Sequence, residues 1–203
     1  MASNKKLVNM RLETERLIIR PYRKSDLMDC FRLMQDKELF RYKDMDVMTL
    51  KEYKELFKWL LKSYHTGFDG DYKYSFNVIL KETGKHIGWV GIGGMDSDHS
   101  MKEIYWLIGI KYQNQGYATE AAAALLRFGF DVMGINEIFS KCWPENVASW
   151  KVMEHIGLKR RDAMESGETL YSLTKDEYIR GKKGAAPMDD DTNNYIRLFG
   201  EAI

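Results

Sequence analysis

The run Gln113-Asn114-Gln115-Gly116-Tyr117-Ala118-Thr119-Glu120-Ala121 constrains the fold more than any other stretch of the chain. Apolar, strand-like residues precede it over 103–110, and a helix-like pattern follows over 118–133. Strand, glycine turn and helix are thus joined within a few residues. Gly116 lets the backbone turn without a Cβ penalty and lets a ligand come close. The peptide N–H groups of the turn and of the first helical turn have no intrahelical partner. They also carry the positive end of the helix dipole. A phosphate or pyrophosphate fits such a site.

A chain of 203 residues is long enough for one domain with a sizeable core. Hydrophobic residues at 44% and charged residues at 30% are ordinary for a soluble globular protein. A net charge of +1 without a dense Lys/Arg stripe argues against nucleic acid or an anionic membrane as partner. No apolar run has transmembrane length, and the opening MASNKKLVNM is too polar and short for a signal peptide. A cytoplasmic location is expected. Cys30 and Cys142 are far apart and lack metal-ligand spacing, so reduced, buried thiols are expected rather than a disulfide.

Residues 16–22 read as a first strand stopped near Pro21. Ser25 is placed to cap a helix carrying Leu27, Phe31 and Met34, and Thr49-Leu-Lys-Glu52 is a capping-box pattern opening a second. That second helix presents Tyr53, Leu56, Phe57, Leu60, Leu61 and Tyr64 on one face. After a turn cluster over 67–71, Tyr74, Phe76, Val78 and Leu80 alternate as a strand face. Glu82-Thr-Gly84-Lys85 fits a hairpin loop, 86–95 a return strand, and 96–102 a polar turn into the strand 103–110. A helix over 118–133 ends at Gly134, and a strand spans 138–143. Asn146 caps a helix stopped by Gly157, and a last strand spans 169–174. The expected architecture is α+β with a mixed sheet. Composition turns polar and Gly/Pro-punctuated at Gly181, so 1–180 is expected as the domain. Residues 181–203 read as a linker and a short apolar tail, Tyr195-Ile-Arg-Leu-Phe199.

Gln113, Gly116 and Ala118 occupy the three defined positions of Gln/Arg-x-x-Gly-x-Gly/Ala, and the segment resembles that signature of the GNAT superfamily of acetyl-CoA-dependent N-acetyltransferases. The resemblance runs from about residue 10 to 180. Leu12-Glu-Thr-Glu-Arg-Leu-Ile-Ile-Arg20 is similar to the opening strand of the RimJ/RimL-like branch, the ribosomal-protein N-terminal acetyltransferases. So are Glu103-Ile-Tyr-Trp-Leu-Ile, Gly116-Tyr-Ala-Thr-Glu-Ala-Ala, Pro144-Glu-Asn-Val-Ala-Ser149 with Gly157-Leu158, and the closing 170–178. One position departs. Many superfamily members place a tyrosine seven residues after the asparagine of the last helix, as the acid for the thiolate; here it is Met153. The RimJ/RimL-like branch commonly lacks that tyrosine too.

The resemblance implies the GNAT fold, acetyl-CoA as cosubstrate without a metal, and direct attack of an amine on the thioester. Pantetheine would add beside Leu107, Ile108, Gly109 and Ile110, as an added strand does, with a bulge there aiming a backbone N–H at the thioester oxygen. Pyrophosphate would lie on the amides of Gln115 to Ala118, within a cofactor-binding loop of Gln113, Asn114, Gln115, Gly116, Tyr117, Ala118 and Thr119. Asn146 reads both as a helix cap and as a ligand of pantetheine. Ser149 reads both as a solvated residue and as the acid or proton relay near the sulfur, and Glu103 both as a solvated strand residue and as the base, acting directly or through water.

Other signals have plainer readings. Gly88-Trp-Val-Gly91-Ile-Gly93-Gly94 lies in a strand and opens no helix, so its glycines are read as close-packing residues. His155 fits a capping role in the last turn of a helix, and His65, His86 and His99 show no ligand spacing. Trp89, Tyr105 and Trp106 either line the acceptor pocket or pack, Tyr105 and Trp106 on opposite strand faces. For the acceptor, an α-amine with pKa ~7.7–8.0 is about a tenth neutral at pH 7, against roughly one in a few thousand for lysine near ~10.4. A carboxylate base suits the α-amine better. Branch resemblance agrees, implying a protein or peptide N-terminus. Related enzymes acetylate small amines, and Asp69, Asp71, Asp96 and Asp98 are placed either to attract a cationic acceptor or as ordinary turn residues. A non-catalytic acyl-CoA-binding module is the alternative of another class. Monomer and homodimer both remain open.

Overall fold

The computed structural model describes residues 7–43, 46–66, 68 and 71–184. Chain order is β1 (Leu12–Glu13), β2 (Leu17–Arg20), α1 (Leu27–Leu33), α2 (Leu50–Ser63), β3 (Lys73–Leu80), β4 (His86–Met95) and β5 (Asp98–Ile108). Then come α3 (Tyr117–Asp131), β6 (Glu137–Cys142), α4 (Val147–His155), β7 (Lys159–Ala163), β8 (Thr169–Thr174) and α5 (Lys175–Gly184). The strands form one sheet in the order β1-β2-β3-β4-β5-β6-β8-β7. The β5–β6 pair is parallel and the others are antiparallel, the mixed sheet expected. No helix among the described residues is long and apolar enough to cross a membrane.

Local chemistry explains several elements. At the start of α2 the Thr49 hydroxyl accepts the Glu52 backbone N–H, and the Glu52 carboxylate accepts that of Thr49 at 2.8 Å. Such a box stabilises a helix by about 1 kcal/mol. Tyr53, Phe57, Leu60 and Tyr64 are buried on the expected face. Gly84 takes φ +66° in the β3–β4 hairpin. In β4 a Cβ on Gly91 would stand 2.2 Å from the Tyr105 ring, so this glycine serves close packing.

Both faces of the central strands are covered. A Cβ on Gly129 of α3 would meet Ile92 and Ile138, which places α3 on the face carrying Ile92 and Ile104. Tyr105 lies on the opposite face, where its hydroxyl meets Ser75 Oγ at 3.0 Å. Leu33 of α1 approaches Gly109 on that side, and Tyr22 links Phe57 of α2 to His86. Double coverage also buries Asn77 and Ile79, which the simple alternation of β3 had left outward. Cys30 and Cys142 are free and buried as expected, and burial pushes the Cys142 thiol up to about 11.

Several boundaries differ from the sequence reading. The turn expected over 96–102 shrinks to two residues because backbone pairing carries the polar start of β5 into the hairpin. At its other end β5 stops at Ile108, and Ile110 opens a 3₁₀ turn, Ile110–Tyr112. Ser25 sits inside the 3₁₀ turn Lys24–Asp26; the Asp26 carboxylate, not Ser25, accepts the Arg23 backbone N–H. The sequence reading missed β1, which is two residues long, and β7, which is exposed throughout. It also missed α5, whose Thr174 and Glu177 side chains form another capping pair. That helix runs past Gly181 to Gly184. Asp69 and the tail Tyr195–Phe199 lie outside the described residues.

Candidate active site

The parallel pair β5–β6 is short. It is registered only at Lys102 with Ile138 and Glu103 with Phe139. Beyond it the Ser140 hydroxyl donates to the Ile104 carbonyl at 2.9 Å, after which β6 pairs with β8 alone. The outer edge of β5 is therefore open from Trp106 onward. Which groups face the opening follows from strand alternation. Gly109 N–H donates to the Ile87 carbonyl at 2.8 Å, so the backbone groups of Gly109 and Leu107 point into the sheet. Those of Trp106 and Ile108 point out. The Ile108 carbonyl is taken by the Gln113 side-chain amide at 2.9 Å, which leaves both backbone groups of Trp106 available. No register shift falls at 107–110; the shifts of this region lie at Val78/Ile79 and Gly94/Met95.

A cleft of ≈ 1040 Å³ starts at this open edge. It is lined by Leu107, Ile108 and Ile110, by Gln113, Asn114, Gly116, Tyr117, Ala118 and Thr119, and by Asn146 and Ser149. Eleven of the residues singled out in the sequence thus come together, from three separate segments. Gly109, Gln115 and Glu103 do not line it. Gln115 turns its side chain back to the Lys111 carbonyl at 3.1 Å, and Tyr117 is buried, so its ring is structural.

The loop conformation explains the glycine. Asn114 has φ +59° and Gly116 φ +80°, both left-handed, and the chain enters α3 directly from Gly116. Gly116 carbonyl accepts the Glu120 N–H at 3.0 Å, so the N–H groups of the residues before Glu120 have no helical partner. Asn146 serves two ends. Its Oδ1 accepts the Ser149 backbone N–H at 3.2 Å as the cap of α4, which leaves its amide nitrogen free to donate into the cleft. His155 Nδ1 bonds the Lys151 carbonyl at 2.6 Å, consistent with its reading as a helix-end residue.

Glu103 lies on the same face of β5 as Tyr105, at the closed end of the splay. Burial raises its pKa above the ordinary carboxylate value, against the opposing pull of Lys73, Lys141 and Lys43. Of these, Lys43 lines the cleft. The aspartates nearby have partners: Asp96 pairs with Lys73 at 2.5 Å, Asp71 with His99 at 2.7 Å, and Asp98 holds the backbone N–H and hydroxyl of Ser100.

Sequence reading missed two contributors and left a third undecided. The segment with Glu38, Tyr42 and Lys43 forms one wall, yet no motif marks it. Trp106 lines the cleft, whereas the sequence left its role open. Arg16 reaches the cleft from the residue before β2; its motif was visible, but its target lies about a hundred positions away.

Donor chemistry fits this arrangement. An open strand edge suits the amides of a pantetheine arm, and left-handed loop residues opening a helix suit a diphosphate. Residues 16–159 match the family model described as acetyltransferase (GNAT) domain. The protein named uncharacterized N-acetyltransferase YnaD of Bacillus subtilis is 32% identical over 151 residues, 74% of this chain and 84% of that protein. A GNAT-family acetyltransferase of Bacillus anthracis superposes with a TM-score of 0.70 at 28% identity, over 83% of this chain and 100% of the other. Two Vibrio cholerae structures share the fold at lower identity. One, named as a ribosomal-protein-serine acetyltransferase, has a TM-score of 0.67 at 22% identity, over 82% of this chain and 98% of its own. The other is a spermidine N-acetyltransferase in complex with CoA and spermine, with a TM-score of 0.68 at 18% identity, over 82% and 99%. Fold, cleft and family match agree: the chain belongs to the GNAT acetyltransferases and is an acetyl-CoA-dependent N-acetyltransferase.

Proposed function

We propose that the acceptor is the α-amine of a protein or peptide N-terminus, as in the RimJ/RimL-like branch. The observation that carries this reading is the charge balance at the closed end of the splay. Asp96 pairs with Lys73, Asp71 bonds His99 and Asp98 bonds the neutral Ser100, so each of these surface carboxylates already accepts a hydrogen bond within the fold. Glu103 differs from them in being half-buried, and burial raises its pKa. Such a base matches an amine that is already partly neutral near pH 7 better than it matches lysine.

The bound acetyl-CoA supplies the thioester carbonyl. Trp106 backbone groups pair with the pantetheine amides and hold the thioester in line with the amine, which supplies rate through orientation. Asn146 donates its amide N–H to the same arm. As the amine nitrogen bonds to the carbonyl carbon, Glu103 takes its proton through a water, since it stands back from the cleft lining. As the C–S bond breaks, the Ser149 hydroxyl gives a proton to the sulfur and takes one up from solvent, so that it acts as a relay. Met153, where many relatives carry tyrosine, is 1% exposed and packs in the core.

Mass spectrometry after incubation with acetyl-CoA and a mixed acceptor panel tests the reading. The panel holds peptides with free and blocked N-termini, polyamines, aminoglycosides and amino acids. Acetylation confined to peptides with a free N-terminus is the expected result. Product on a small amine instead overturns the acceptor assignment.

A further inference from the structure

An acidic side chain stands at the pole where a diphosphate would bind. Glu120 is in the first turn of α3, four residues past Gly116. A carboxylate there is favoured by the helix dipole and competes with the anionic ligand for the same positive end. The structure shows how it is engaged. Glu120 Oε1 accepts the Thr14 hydroxyl at 2.5 Å and the Arg16 backbone N–H at 2.9 Å. Oε2 accepts Arg16 Nε and Nη2, both at 2.7 Å. Burial pushes the Glu120 carboxyl up, but these bonds outweigh it and hold the group below its ordinary value.

The same guanidinium reaches the loop. Arg16 Nη1 donates to the Gln115 carbonyl at 2.9 Å, so the partial negative charge of that oxygen is met by the guanidinium. Nη2 lies 3.3 Å from where a Gly116 Cβ would stand. The guanidinium sits over the Tyr117 ring, 4.5 Å from its centroid, and keeps an exposed edge on the cleft. Arg16 thus contacts Gln115, Tyr117 and Glu120 at once and stands beside Gly116, from the bend before β2, far away in sequence.

We infer that Arg16 is a positioning residue for donor binding: it neutralises Glu120 and ties down the Gln115 carbonyl, so that the loop presents net positive potential to the diphosphate of CoA. This rests on the reading of the cleft as the acetyl-CoA site. A fork of donors is needed to bridge a carboxylate and a carbonyl, which a lysine ammonium does poorly.

Calorimetric titration of the full-length protein with CoA tests the inference. Arg16→Gln exposes the Glu120 charge and is expected to weaken CoA binding by about tenfold. Adding Glu120→Gln removes that charge and is expected to restore the Kd to within about threefold of wild type, while the melting temperature stays low. Glu120→Gln alone is expected to bind CoA at least as tightly as wild type, and it carries the test by itself if Arg16→Gln fails to fold. A purely structural ion pair predicts the opposite, weaker binding in all three variants. That result, or an Arg16→Gln Kd within twofold of wild type, overturns the inference. If wild type itself binds no CoA, the failure lies in the acetyl-CoA reading of the cleft.

Discussion

Ser140 Oγ donates to the Ile104 carbonyl at 2.9 Å, and this bond is the last link across β5 and β6 before the sheet opens. Ser140 is 2% exposed, so the hydroxyl satisfies a carbonyl that water does not reach. It marks where a sheet becomes a binding edge.

Removing the link has a defined consequence. Ser140→Ala leaves the Ile104 carbonyl without its partner and is expected to destabilise the fold by about 1–3 kcal/mol. Urea unfolding monitored by circular dichroism measures it. An unchanged midpoint would show that the bond contributes nothing.

Gly116 and Gly84 make a matched pair. Each has a positive φ, +80° and +66°, and each substituted by alanine is expected to destabilise by about 1–2 kcal/mol. Only at Gly116 would the new Cβ crowd a neighbour, Arg16 Nη2 at 3.3 Å, beside the cleft. Gly116→Ala is therefore expected to raise KM for acetyl-CoA severalfold, and Gly84→Ala to leave it unchanged. Equal effects on KM would remove the loop from donor binding.

As the proposed base, Glu103 must be ionised to work, so its raised pKa is expected to move the acid limb of kcat/KM above the ordinary carboxylate range. Lys73 and Lys141 oppose that rise. Lys141→Met is expected to shift the acid limb to still higher pH, and Glu103→Gln to lower kcat by roughly 10²-fold or more with little change in the Kd of acetyl-CoA. A pH–rate profile with an unmoved limb in Lys141→Met would assign the limb to another group.

His86 predicts a pH dependence of stability. Its Nδ1 bonds Asn77 Oδ1 at 2.6 Å, and burial lowers its pKa from 6.5 to about 4, against the pull of Asp26 and Asp29. Below pH 6.5 the unfolded chain binds a proton that the folded one refuses. The stabilisation is thus complete above pH 6.5 and lost as pH falls toward 4, on the order of 3 kcal/mol at most. His86→Gln keeps a donor for Asn77 and does not titrate. Denaturant melts between pH 7 and 4.5 are expected to fall less steeply for the variant; parallel slopes would clear His86 of the effect.

Elements whose causes lie within a few residues were legible in the sequence. The Thr49–Glu52 box, the Gly84 hairpin, the Asn146 cap and the Gln113–Ala118 loop depend on local hydrogen bonds and on φ, and each appears where the residues placed it. Elements made by pairing were less so. The start of β5 is polar and β7 lacks an apolar face, so periodicity is silent where backbone bonding to a neighbour decides.

By itself, then, the sequence determined the strand–loop–helix unit and the mixed-sheet class, because local conformation specifies them, and through its family resemblance it pointed to eleven residues of the cleft lining. The tertiary structure alone decided where the sheet splays, that Trp106 rather than Leu107 or Gly109 offers its backbone, and that Arg16 answers Glu120. It also decided that burial outweighs three lysines at Glu103. The physical reason is that hydrogen-bond direction and desolvation depend on what the fold brings close, and those neighbours stand tens to a hundred positions apart in the chain.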